Sequence, residues 1–309
     1  MRLILHIGLH KTGSTSLQLA LARTNGPYLY PQTGRDAKAV HAFGQHLLPQ
    51  ALKEEDGSPL WDELLREIQG ADLTILSSEL FHLLGDAEVD GVARYIPSAE
   101  VVMYLRRQDL FLQSIYGMNV LYTGETRELR DYPLEPEIDY HRVYRRWARH
   151  FPVTAIPFER ASLAGGDVIA DFSHRIGVPL APQPRANRSY PRTVIDLARQ
   201  LTLAGGRDLD RHNLLLVASF VFAEDGARND LLSPDEARAF YARYAQSNAA
   251  LARDLGRERL FLDEALGDQA AWEGRYGRGT PPLARFLRDA AVKLKRQGLL
   301  QGGELTPWR

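Results

Sequence analysis

Residues 3–23 read LILHIGLHKTGSTSLQLALAR. Leu3 to Gly8 is a compact apolar run closed by glycine, the pattern of a buried strand. Lys11 to Ser16 is polar and dense in small residues, as a loop is. Leu17 to Arg23 continues in helix formers and stops near Asn25-Gly26-Pro27. The chain therefore opens strand, loop, helix. A helix start offers unpaired backbone N–H groups and a partial positive charge, which suits a phosphate or sulfate. Gly13 lets the backbone curl close to an anion, Thr12, Ser14, Thr15 and Ser16 add hydroxyl donors, and Lys11 supplies a full positive charge.

Outward from this opening, Leu73 to Leu76, Val101 to Leu105 and Val153 to Phe158 are further short apolar runs. Helical patterns separate them at Trp61 to Gln69, Asp109 to Leu121 and Tyr140 to Phe151. Alternation of strands and helices predicts an α/β fold: a P-loop-like, three-layer parallel sheet flanked by helices. After about residue 185 the chain reads as helical at Thr193 to Ala204, Leu214 to Ala223, Pro234 to Leu255 and Leu283 to Gln297, with a brief strand at Leu260 to Leu262. The expected layout is one domain over 1–309, with an α/β core at 1–185 and a mainly helical C-terminal part at 186–309.

Composition narrows the chemistry. There is no cysteine, which excludes disulfides, a thiolate nucleophile and a Cys-ligated metal. Net charge is -1, from 38 basic and 39 acidic residues, so no bulk attraction to nucleic acid or an anionic membrane is expected and an anion site must be built locally. The apolar N-terminal run is too short for a signal peptide, and Leu214 to Ala223 is half of what a membrane span needs. A cytoplasmic protein is the expectation. No His-rich or paired-acid pattern calls for a metal.

Set against the triphosphate loop G-x-x-x-x-G-K-[ST], Gly8, Gly13 and Thr15 fall on the two glycines and the final hydroxyl. The lysine position is Ser14, and the lysine stands at 11 instead, where it could meet a shorter anionic group such as a phosphosulfate. The segment Lys11-Thr12-Gly13-Ser14-Thr15-Ser16-Leu17 resembles the 5′-phosphosulfate loop of sulfotransferases that use 3′-phosphoadenosine-5′-phosphosulfate (PAPS), whose pattern is close to K-T-G-[ST]-[ST]-[ST]-L. Their second signature is an arginine at a strand end and a serine eight residues later, together gripping the donor's 3′-phosphate. Arg106 and Ser114 have that spacing in YLRRQDLFLQSIY. Arginine suits the task because it forms bidentate, charge-assisted bonds to phosphate oxygens. Arg107-Gln108 follows where Asp/Asn-Pro is usual in animal enzymes; spacing favours Arg106 over Arg107. Residues 157–179 resemble the family's next strand and helix. Asn187-Arg188-Ser189 falls where many members have a final donor loop; its usual Lys-Gly is absent, so Arg188 or Arg192 would substitute.

The resemblance implies sulfuryl transfer from PAPS, leaving the product PAP, by in-line displacement without a metal. Lys11 would stabilise the leaving oxygen. A hydroxyl acceptor also needs a base, which in carbohydrate-sulfating members is a Glu or His beyond the first helix. His41 is the first choice because imidazole titrates near working pH, and Glu79, just past a strand end, is second; His46 and His10 remain open. The acceptor is expected to be a carbohydrate or a small hydroxylated metabolite. Arg142, Arg145, Arg146 and Arg149 read as a solvated helix face, and Trp147 with Phe151 as packing.

Overall fold

The strand signals fold as one parallel sheet. In the computed structural model, which describes residues 1–36, 43–54, 58–133, 138–183, 192–205, 231–262, 267–276, 300–301 and 304–305, β1 (Arg2–His6), β2 (Leu73–Ser77), β3 (Ala99–Leu105) and β4 (Val153–Pro157) pair in the order β2-β1-β3-β4. Every pairing is parallel, with His6 beside Ser77 on one side and Val102 on the other. These strands are apolar almost throughout because both faces of a parallel sheet are covered. The order carries a consequence for function. From β1 the chain goes to the edge strand β2, then returns past β1 to β3. The switch point of the sheet is therefore at the C-terminal ends of β1 and β3, the crevice where open α/β sheets bind ligands.

The chain packs as two compact units, each discontinuous in sequence. Met1–Phe111, Glu135–Asn187 and Tyr241–Asp263 make the first; Leu112–Leu134, Arg188–Phe240 and Glu264–Arg309 make the second. In the first unit, α1 (Ser14–Arg23) is followed by α2 (Leu47–Ala51), α3 (Ser58–Glu67) and α4 (Asp86–Tyr95). Next come α5 (Gln108–Met118), whose later part belongs to the second unit, α6 (Tyr140–Ala148) and α7 (Val168–Ile176). Leu17, Ala20 and Leu21 of α1 and Val168, Ile169, Phe172 and Ile176 of α7 pack with Ile4, Ile75, Val102, Tyr104 and Ile156 of the sheet. A chain of aromatics joins other helices: Trp61 stacks on the half-buried Tyr95 at 5.0 Å and meets Phe81 at 6.5 Å, and Phe81 meets Trp147 at 6.3 Å. Trp147 and Phe151 touch at 5.6 Å, as their spacing predicts. Arg146 and Arg149 bond to Asp86, and Arg149 also to Asp90, so half of the expected solvated basic face ties α6 to α4.

In the second unit α8 (Arg192–Leu203) buries Val194, Ile195, Leu197 and Ala198 against Tyr116, Val120 and Leu121. The segment read as one helix from Pro234 to Leu255 is two, α9 (Pro234–Ala242), most of it in the second unit, and α10 (Ala245–Asp254), which like Leu260 to Leu262 belongs to the first, broken at Tyr244 with φ −103° and ψ 6°. Packing outweighs propensity here. Asn248 of α10 is buried in a reciprocal amide pair with Gln108, at 2.7 and 3.1 Å, which fixes where α10 must run. Leu260 to Leu262 is not a strand: the Leu262 N–H donates to the Glu159 carboxylate at 3.1 Å instead of to a neighbouring strand. α11 (Gln269–Tyr276) and a two-residue hairpin, Leu300–Gln301 with Glu304–Leu305, follow. The expected helices at Leu214 to Ala223 and Leu283 to Gln297 lie outside the described residues. No helix among the described residues is long and apolar enough to cross a membrane.

Candidate functional site

β1 ends at His6, and the chain turns through Ile7 to Gly13 before α1 begins at Ser14. Two glycines are required by geometry. A Cβ on Gly8 would sit 2.7 Å from the Ser14 hydroxyl and 2.8 Å from the His6 ring. Gly13 caps α1 in the left-handed conformation, φ 82°, and a Cβ there would meet Val168 at 2.9 Å. Thr12 is fully buried and its hydroxyl donates to the Leu9 carbonyl at 2.7 Å; the Ser14 hydroxyl reaches the same oxygen at 3.4 Å. These side chains close the loop. Thr15 and Ser16 are half-buried. The first turn of α1 holds no acid, so nothing on the helix neutralises its N-terminal N–H groups.

Lys11 lies in this loop with φ 67°, a conformation that no other non-glycine residue adopts among the described residues. Its ammonium is pushed below the ordinary lysine value, first by burial and then by Arg106, while Glu79 acts in the opposite sense. Arg106 follows β3 and its Nη1 donates to the Lys11 carbonyl at 2.8 Å. The Tyr140 hydroxyl donates to the Arg106 carbonyl. Burial lowers the Arg106 guanidinium to about 10, so it stays a cation at neutral pH. Arg107 is differently engaged: it is 2% exposed and holds Asp109 in a two-pronged ion pair at 2.6 and 2.9 Å. Of the two arginines, Arg106 is the one bonded to the Ile7–Gly13 loop. Ser114 sits on α5 within the second unit, half-buried.

Glu79 follows β2. Ser78 rather than Glu79 caps the short 3-10 turn Glu79–Leu83, accepting from the Leu80 N–H at 3.2 Å. That leaves the Glu79 carboxylate to accept from the Gln18 amide at 2.9 Å and to lie 3.9 Å from His46 Nδ1. His46 Nδ1 is also 2.8 Å from the Ser78 hydroxyl. Burial pushes the Glu79 carboxyl up, but His46, the Gln18 amide, its own backbone and His10 pull it down and prevail, so it sits below the usual range. The His10 ring packs edge-on to His82 at 5.2 Å. Lys11, Arg106, Glu79, His46 and His10 are thus brought to one region of the first unit, at the C-terminal ends of the strands. His41 and Arg188 lie outside the described residues. Arg192 begins α8 in the second unit, where its guanidinium lies over the Trp272 ring at 5.0 Å.

Several participants were not read from the sequence. Gln18 sits among Leu17, Ala20 and Leu21 on the buried side of α1, and an amide in an apolar stripe was the available signal. His6 is buried at the end of β1, its Nδ1 2.8 Å from the Ser77 hydroxyl and its Nε2 without a hydrogen-bond partner among the described residues, beneath Gly8. A histidine in a strand covered on both faces was the clue. Tyr140 gave no local sign, because its partner, the Arg106 carbonyl, is set by tertiary packing, whereas His82 bonds within its own turn to the Glu79 carbonyl. Among the described residues no group of three or more His, Asp or Glu is placed to hold a metal ion.

No family model matches the chain. An uncharacterized protein of Archaeoglobus fulgidus is 24% identical over 257 residues, covering 75% of this chain and 68% of its own. Among solved structures, the crystal structure of a sulfotransferase from Alicyclobacillus acidocaldarius is similar with a TM-score of 0.43 and 16% identity, over 88% of this chain and 99% of that one.

Proposed function

We propose that this protein is a PAPS-dependent sulfotransferase that moves a sulfuryl group to an acceptor hydroxyl, on a carbohydrate or a small hydroxylated metabolite. The observation that carries the reading is the meeting of Lys11 and Arg106 at the switch point of the sheet, with Arg106 Nη1 2.8 Å from the Lys11 carbonyl. Two cations that meet at one glycine-bounded loop, ahead of a helix start without an acid, suit a ligand with two anionic groups. PAPS has them: the 5′-phosphosulfate and the 3′-phosphate. A magnesium nucleotide triphosphate fits less well, because Ser14 stands where its lysine belongs and β2 runs into Ser77-Ser78-Glu79, without an aspartate.

In this reading Lys11, the hydroxyls of Thr15 and Ser16 and the N–H groups from Gly13 to Ser16 serve the phosphosulfate, while Thr12 and Ser14 hold the loop closed behind them; Arg106, Ser114 and Arg188 serve the 3′-phosphate. The acceptor oxygen attacks sulfur as the bond from sulfur to the bridging phosphate oxygen breaks. Lys11 meets the charge that builds on that oxygen. The acceptor's proton goes to Glu79, which is ionised, is aimed by Gln18 and interacts electrostatically with Lys11. His41 is the second candidate for that proton.

The deciding measurement is calorimetric titration of PAP, in parallel with ATP–Mg²⁺, against the wild type and the double variant Arg106→Ala, Ser114→Ala. Tight PAP binding that the double change abolishes, with ATP–Mg²⁺ silent, is expected. ATP–Mg²⁺ binding with PAP silent would overturn the sulfotransferase reading.

A further inference from the structure

Lys11 is held in a backbone conformation that it would not choose alone. At φ 67° it is left-handed, which is unfavourable for an L-residue with a side chain. Such a residue persists where its surroundings fix it, and these sites concentrate where function needs them. The contacts on either side of Lys11 are specific. Thr12 is fastened back onto Leu9, and the Lys11 carbonyl accepts from Arg106, a residue 95 positions away in the chain. Arg106 is itself secured, because its own carbonyl accepts from the buried Tyr140 hydroxyl and the next residue, Arg107, is locked to Asp109. A guanidinium presents its N–H donors in one rigid fork, which fixes the direction of its bond to the Lys11 carbonyl. A lysine there would bring charge without that fork.

We infer that Arg106 is a positioning residue for Lys11: it clamps the lysine's left-handed backbone through the Lys11 carbonyl, so that gripping the donor's 3′-phosphate and presenting the Lys11 ammonium to the leaving oxygen are one mechanical event. The inference rests on the function proposed above and gives its phosphate-binding arginine a second task.

The test uses the full chain as wild type, Arg106→Ala and Arg106→Lys, with three readings on each. PAP affinity is taken by calorimetry, kcat from conversion of saturating PAPS to PAP and sulfate with water as acceptor, and loop mobility from hydrogen exchange of a peptide covering residues 8–17. Arg106→Ala is expected to weaken PAP, lower kcat by about 10²-fold and speed exchange in the loop. Arg106→Lys is expected to bring PAP affinity back to within about tenfold of wild type while kcat and loop exchange stay as in Arg106→Ala. If Arg106→Lys restores affinity and kcat together, or if neither variant changes loop exchange, the clamp is wrong and Arg106 serves the phosphate alone. If wild type fails to bind PAP, the sulfotransferase reading falls, while loop exchange in Arg106→Ala still decides the clamp.

Discussion

Glu79 is joined to α1 through Gln18 and lies 3.9 Å from His46, yet remains electrostatically visible to Lys11. Those partners keep it ionised and aimed, which is what a proton acceptor needs. Glu79→Gln preserves the shape and an oxygen for the Gln18 amide but removes the anion. It is expected to lower kcat by about 10²–10⁴-fold, measured on an acceptor hydroxyl found by screening, with PAP affinity changed less than about threefold. A raised KM with kcat unchanged would assign Glu79 to acceptor binding instead. The cluster was only half legible in the sequence. Lys11 and Arg106 lie in short motifs whose chemistry is local, and the notion of an anion loop follows from five or six adjacent residues. Gln18 meets Glu79 across 61 positions and His46 meets Ser78 across 32, so no local pattern announces either pair. The spacing to Ser114 favours Arg106 over Arg107 in the sequence, and the buried ion pair of Arg107 with Asp109 could be seen only in the fold.

The start of α1 decides whether the loop can hold an anion, and Gly13 decides the start of α1. Its left-handed φ of 82° and the 2.9 Å approach to Val168 both exclude a side chain. Gly13→Ala is expected to destabilise the first unit by about 1–2 kcal/mol from the backbone alone and to weaken PAP by about tenfold or more. Urea midpoints and PAP titration measure the two effects. Adding Val168→Ala removes the contact but not the backbone penalty, so PAP affinity is expected to stay low in the double variant. Recovery to wild-type affinity would mean that Val168, not the left-handed cap, is the constraint. The elements themselves were readable where one force acts. Doubly covered strands show as apolar runs, and α1 shows as a glycine, hydroxyls and then an apolar stripe. Prediction failed where two forces compete. The helical pattern runs unbroken through Tyr244, but the buried amide pair between Asn248 and Gln108 places α10 separately from α9. Leu260 and Phe261 are as apolar as a strand would be, and are buried, but Glu159 takes the next N–H and the segment stays irregular.

Two histidines buried beside the loop make the first unit sensitive to acid. His6 is fully buried under Gly8 and desolvation lowers it to about 4; His82, buried beside His10, is lowered to about 3 by burial first and then by His10. An unfolded histidine titrates near about 6.5. Above that value both side chains are neutral folded and unfolded, and the fold has its full stability. As pH falls below about 6.5 the unfolded chain takes up protons that the folded state refuses, so stability drops by about 1.4 kcal/mol per pH unit for each histidine. The loss ends as pH passes the folded values, near 4 for His6 and 3 for His82. Carboxylates that the fold stabilises, Glu79 and Asp171 among them, add their own losses below about pH 4, where they overlap only the end of the His82 loss. Urea unfolding between about pH 7.5 and about pH 5 isolates the histidines. His6→Gln keeps an amide for the Ser77 hydroxyl and cannot be protonated. It is expected to reduce the pH slope in that range by about one proton while leaving the slope below about pH 4 unchanged. An unaltered slope between about pH 7.5 and about pH 5 would mean that His6 binds its proton within the fold, with its Nε2 finding a partner beneath the loop.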